Sequence, residues 1–288
     1  MLKKLFIAVA LVATVACGSQ NGTKTTQKPD KNFYIYLAFG QSNMEGNARI
    51  EDQDREGISD RWQMMAAVDF PKMERKQGEW YKAVPPLCRE SNGLTPVDYF
   101  GRTMVENLPE KVRVGVICVA VGGCKIEAFM KDRAQEYGDN AAMWMKNWIK
   151  PYDNNCYQRL VELAKEAHKV GVIKGFLMHQ GESNIDEEDL PEKVKYVYDT
   201  LIEDLGLDPK KTPLLAGEVV NADVQGRSAS MNEIIAKLPE TLPNSYVISS
   251  KGVTCGFDHL HFDAAGYREM GRRYANQMLT LMGITPKE

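Results

Sequence analysis

Ser42 stands in the stretch "LAFGQSNMEG" at residues 37–46, two positions after the apolar run "FYIYLAF" stops at Gly40. A serine at the C-terminal end of a buried strand lies where open α/β sheets hold their ligands. Its hydroxyl is barely ionised near neutral pH, so it becomes a nucleophile only beside a base. Histidine is the usual base, with a carboxylate that fixes its tautomer and stabilises the imidazolium. The stretch "DHLH" offers both groups, Asp258 and His261, three residues apart. His259 is the competing base, and its place between the two argues that it points elsewhere. An attacked ester also needs donors for its developing oxyanion. Backbone N–H groups at Ser42 and at Gly122 or Gly123 of "VGG" are available where strands end, and the Gln180 amide of "HQGESN" can add another.

Each block also has a plainer reading. Ser42 can cap a helix that begins at Asn43. "VGG" can be a turn, and His179 with Glu182 can be a hydrogen-bonded structural pair. Those two residues do not suggest a metal site, because no HExxH or third ligand at suitable spacing accompanies them. The aromatics of "MWMKNW", residues 143–148, can stack on sugars, although core packing or ordinary surface is the simpler reading. Taken singly, every block reads as structure. Their joint occurrence near strand ends reads as chemistry.

The elements that must position these residues follow from the apolar pattern. Runs at 33–39, 112–121, 172–178, 214–220 and 246–249 are rich in Val, Ile, Leu or aromatics without strict polar alternation, as in central strands buried on both faces. Helical patterns cover 97–107, 157–170, 191–205, 229–238 and 263–282, the last capped by Asp263 with Tyr267, Met270, Tyr274, Met278 and Leu281 along one stripe. Strands alternating with helices predict right-handed crossovers and a mostly parallel sheet in a three-layer α/β/α sandwich. One domain over residues 32–285 is expected. Residues 45–96 read as a long irregular insertion of the kind that shapes binding sites.

The chain has 288 residues, 43% of them hydrophobic, and a net charge of −3, so no basic footprint argues for nucleic acid. Residues 1–17 carry two lysines, a short apolar run and small residues before Cys17, which is the pattern of a secretory signal. The run is too short for a membrane span, which takes roughly 20 apolar residues. The segment resembles a bacterial lipoprotein signal with Cys17 as the lipidated first residue of the mature chain. Thr14 stands where that pattern has a Leu-like residue, which leaves cleavage without lipid as the alternative. An exported, lipid-anchored protein at the periplasmic or cell-surface side is expected, with residues 18–31 as a flexible tether. The remaining cysteines, Cys88, Cys118, Cys124, Cys156 and Cys255, form no CxxC pair.

Together, "GQSNM", "VGG", "HQGESN" and "DHLH" resemble the blocks of SGNH hydrolases, a flavodoxin-like superfamily. The likeness is to the carbohydrate acetylesterase branch that contains acetylxylan esterases and sialate O-acetylesterase-like domains. It covers residues 33–280. It implies Ser42 as nucleophile, His261 as base and Asp258 as its partner, with Ser42, Gly122 or Gly123, and Gln180 at the oxyanion positions. Glu182 matches a supporting acidic position. Where the broader superfamily has an asparagine in the third block, this chain has Gln180. The implied activity is removal of acetyl groups from carbohydrate, acetylated xylan or a related glycan first and O-acetylated sialic acid second, with no cofactor. The rival expectations are a glycan-binding lipoprotein without catalysis, and a lipase or thioesterase of the same superfamily.

Overall fold

The computed structural model describes residues 28–287, so Cys17, the signal and most of the tether lie outside the described residues. A seven-stranded sheet runs in the order β3-β2-β4-β1-β5-β6-β7. Its strands are β1 (Phe33–Gly40), β2 (Trp62–Met65), β3 (Trp80–Lys82), β4 (Arg113–Ala120), β5 (Val172–His179), β6 (Leu214–Gly217) and β7 (Ser245–Ile248). Only the β2–β3 pairing is antiparallel.

The helices are α1 (Ser42–Glu45), α2 (Asp52–Arg55), α3 (Pro96–Asn107), α4 (Ala134–Asn140), α5 (Met143–Ile149), α6 (Cys156–His168), α7 (Leu190–Leu205), α8 (Met231–Ile235), α9 (Leu238–Thr241) and α10 (Ala264–Leu281). Successive strand residues point to opposite faces, and both faces are covered. On β1, Tyr36 stacks edge-on against Phe100 of α3 at 4.8 Å, while Phe39 meets Phe129 at 5.4 Å. On β5, Phe176 packs on Tyr198 of α7 at 5.6 Å, while the neighbouring Gly175 lies against Met278 of α10. This is the three-layer α/β/α sandwich that the alternating pattern predicts.

Register decides where the chemistry can sit. Gly40 at the end of β1 pairs with Ala120 of β4 on one side and His179 of β5 on the other, so three strands end in line. The chain reaches those neighbours in opposite directions across the sheet, which makes this edge a topological switch point. Gly40 has a φ of +143°, and a Cβ there would fall 2.1 Å from the His179 carbonyl oxygen. Only glycine lets β1 turn away so close to β5.

Three sequence expectations change. The insertion at 45–96 contributes β2 and β3, which extend the sheet by two strands on the β4 side. The run predicted at 214–220 stops pairing at Gly217, because the Val219 N–H donates instead to the Asn232 side chain at 2.9 Å. The helix predicted over 229–238 is two short helices, α8 and α9, with Pro239 in the first turn of the second. Proline fits a first turn but cannot continue a helix through its own nitrogen. The last helix begins as expected, with the Asp263 carboxylate accepting from the Gly266 N–H at 2.7 Å.

Candidate active site

The loops after β1, β4 and β5 and the loop between β7 and α10 meet at the switch point. Ser42 is the first residue of α1 rather than its cap, since Gln41 holds the N-cap position. Its hydroxyl is therefore free to face outward, and its Oγ lies 2.8 Å from His261 Nε2. His261 Nδ1 lies 2.6 Å from Asp258 Oδ2. The Asp258 Oδ1 accepts from the Leu260 and His261 backbone N–H groups, both at 3.0 Å, so one tight turn fixes acid and base together. Partial burial raises the Asp258 carboxyl, but those two N–H groups and the His261 ring outweigh it and hold the carboxyl down at about 2. His259 points away: its Nδ1 lies 2.9 Å from the Val224 carbonyl oxygen.

Asn43 joins the pieces. It is fully buried, and all four of its hydrogen-bonding positions are used. Its amide donates to the Glu182 carboxylate and, at 3.0 Å, to the Leu260 carbonyl; its oxygen accepts from the Phe262 N–H at 3.3 Å and the Tyr267 hydroxyl at 2.7 Å. Nucleophile loop, base loop and β5 loop are thus tied through one side chain. Glu182, expected from the sequence as a supporting residue, is buried and accepts from Asn43. Burial pushes its carboxyl up, against the Asn43 hydrogen bond and the nearby His261. His179, 3.9 Å from Glu182, is sealed in the interior and held neutral, its ring pushed down to about 3 by burial.

The expected oxyanion donors separate into two groups. The backbone N–H groups of Ser42, Gly122 and Gly123 make no hydrogen bond among the described residues. A Cβ built on Gly122 would lie 3.6 Å from the Ser42 Cβ, so this loop faces the nucleophile directly. Gln180 differs from the expectation. It is fully buried, and its amide nitrogen donates to Gln41 Oε1, the Cys124 carbonyl and Asn184 Oδ1 at 2.8 to 3.0 Å. Its hydrogens are spent inside the protein. Gln41 is the amide that faces the cavity: Gln180 and the Ser183 N–H both anchor its Oε1 at 3.0 Å, and its nitrogen has no partner among the described residues.

These groups open onto a cavity of about 490 Å³ lined by Ser42, His261, Gly122, Gly123, Trp144 and Trp148 among others. Part of the lining comes from the 45–96 insertion, through Asn47 and residues 91–93. Glu45, which also lines the cavity, forms a buried ion pair with Arg89, and Asn92 donates to the same Glu45 carboxylate at 3.0 Å. A hydroxyl with an imidazole and carboxylate in series, beside free N–H groups, can carry out acyl transfer.

Residues 32–280 match the family described as carbohydrate esterase, sialic acid-specific acetylesterase. The chain belongs to this family. The esterase is accordingly a carboxylic ester hydrolase on a three-layer α/β/α fold. Among solved structures it resembles a protein from Arabidopsis thaliana at 20% identity, covering 87% of this chain and 99% of that one with a TM-score of 0.66. It also resembles NanS at 16% identity, covering 89% and 99%, with a TM-score of 0.63. A third match is XAC1771 from Xanthomonas citri, described as a novel carbohydrate acetylesterase, at 19% identity and a TM-score of 0.60. There the match covers 85% of the esterase but 55% of the other chain.

Gln41 and Asn43 are the residues of the site to which the sequence reading gave no role, while the aromatics of 143–148, read there as sugar-stacking, core or surface, line the cavity through Trp144 and Trp148. Gln41 and Asn43 flank the serine directly, and an amide on each side of a nucleophile is the signal that could have drawn attention to them.

Proposed function

We propose that the esterase removes O-acetyl groups from carbohydrate through an acetyl-serine intermediate. The observation that carries this reading is the unbroken series Ser42 Oγ, His261 Nε2, His261 Nδ1, Asp258 Oδ2, with contacts of 2.8 and 2.6 Å. Ser42 Oγ attacks the acetyl carbonyl carbon while its proton passes to His261 Nε2. The imidazolium is held by Asp258, and the oxyanion is received by the N–H groups of Ser42 and the Gly122–Gly123 turn, with Gln41 Nε2 beside them. Collapse breaks the bond to the sugar oxygen, which takes the proton from His261 and leaves acetyl-Ser42. A water deprotonated by His261 then attacks the acyl carbon, releasing acetate and restoring the serine. The N-terminal segment extends the proposal to an exported, lipid-anchored enzyme.

The test is acetate release from acetylated xylan and from O-acetylated sialic acid, comparing the native chain with Ser42→Ala. Release that disappears in the variant, by the ~10⁶-fold typical of a lost nucleophile, supports the mechanism, and the preferred substrate names the glycan. Equal release by both proteins removes Ser42 from the reaction. Tight sugar binding without any release would instead describe a binding module.

A further inference from the structure

The cavity is far larger than an acetyl group, and one wall is aromatic. Trp144 and Trp148 sit four residues apart on α5, which places them side by side on one helix face. They remain 55% and 43% exposed, although both line the cavity that holds Ser42 and His261. Each is held from behind. A Cβ on Gly123 would fall 2.8 Å from Trp144 Cη2, so that indole rests on the glycine turn beside the nucleophile. Trp148 has the Arg89 guanidinium 5.0 Å from its ring centroid, and Arg89 also donates to the Trp148 carbonyl at 3.0 Å. Arg89 is fixed in turn by the buried pair with Glu45. The two rings are thus preorganised rather than loosely exposed.

Resting on the esterase reading above, we infer that Trp144 and Trp148 form a platform for a pyranose ring of the acetylated substrate. A pyranose presents apolar C–H faces and a rim of hydroxyls. An indole supplies a matching apolar face, and a polar stretch of the same cavity wall, Asn47 and Ser91, supplies the rim's partners. A long acyl chain has no use for that polar wall. Beyond the Gly123 turn the cavity adjoins a second one of about 540 Å³, which shares Gly123 and Ser183 with it. The arrangement suits an ester carried on a sugar that continues into a longer glycan. The platform sets specificity and touches neither the acyl carbon nor the moving proton.

The experiment compares Trp144→Ala, Trp148→Ala and the corresponding Phe variants on acetylated xylo-oligosaccharides, O-acetylated sialic acid and 4-nitrophenyl acetate, an ester without a sugar. The expected result is a KM on the sugar ester raised at least tenfold with kcat nearly retained. The loss in kcat/KM should exceed that on 4-nitrophenyl acetate by a similar factor, and Phe should restore most of it. Parallel losses on both esters, or none on the sugar ester, would overturn the platform. Indole fluorescence of Ser42→Ala titrated with the same acetylated sugars reads binding independently of turnover. A shift abolished by either Ala substitution supports the platform even if the hydrolytic reading fails; no shift at all counts against it. Faster turnover of long-chain 4-nitrophenyl esters than of acetylated sugars would assign the indoles to an acyl chain and sink the proposal.

Discussion

At the scale of single residues, Gln41 carries the sharpest prediction. Its Oε1 is pinned from two sides, which leaves its nitrogen aimed by the fold rather than by a ligand. Gln41→Glu keeps the pinned oxygen and deletes the donor. Steady-state kinetics on an acetyl ester should then show kcat lower by ~10²–10³, the usual cost of one oxyanion donor, with KM little changed; an unaltered kcat would leave the backbone N–H groups as sufficient. The three side chains that meet in series were legible in the sequence, because the Ser42, Asp258 and His261 pattern is local to two short stretches. The donor set was less so. Gln180 and Gln41 are the same residue type, each beside a strand end, and nothing in their spacing says which amide turns inward. Burial decides it, since an amide nitrogen sealed from water must find protein acceptors, and Gln180 finds three.

At the scale of elements, the long central strands were legible because strands buried on both faces are written as unbroken apolar runs. The two short strands on the β4 side were hidden for the opposite reason. Trp62–Met65 and Trp80–Lys82 are four and three residues long, and β3 is only half-buried, so neither carries a period that separates it from loop. The missed strands matter to the site, because the same insertion lines the cavity through Asn47 and residues 91–93 and holds Trp148 through Arg89. Helix α5 was a different case, its aromatics noted in the sequence but left between sugar stacking, core and surface. Its aromatics suit core or surface equally well, and only the neighbouring Gly123 turn and Arg89 give them a place. Where a helix is shorter than two turns, its meaning comes from what it leans on rather than from its own pattern.

At the scale of the whole molecule, one buried acid should set how stability depends on pH. Asp98 of α3 is completely buried, and neither carboxylate oxygen has a hydrogen-bond partner among the described residues. Burial pushes its carboxyl up from an ordinary 3.8 to about 8, against the pull of Arg102. The native state therefore keeps a proton that the unfolded chain releases. This contribution is complete below the unfolded value near 4 and is lost as pH rises through about 8. The slope approaches about 1.4 kcal/mol per pH unit, the limit for one proton. Urea midpoints at pH 6 and pH 9 should fall further for the native chain than for Asp98→Asn, which has nothing to ionise. Equal declines would mean that the carboxyl is charged in the native state already.

The single side chain of Asn43 also has a bearing on heat. Among the described residues it alone ties the serine loop at once to the base loop, to Glu182 and to α10, and surface loops open locally well before a sheet gives way. Warming should thus uncouple hydroxyl from imidazole while the seven strands remain paired. Activity is expected to fade reversibly several degrees below the melting midpoint seen by circular dichroism, and to return on cooling. Superposition of the two curves would show that the alignment of the triad and the integrity of the sheet are lost in one event.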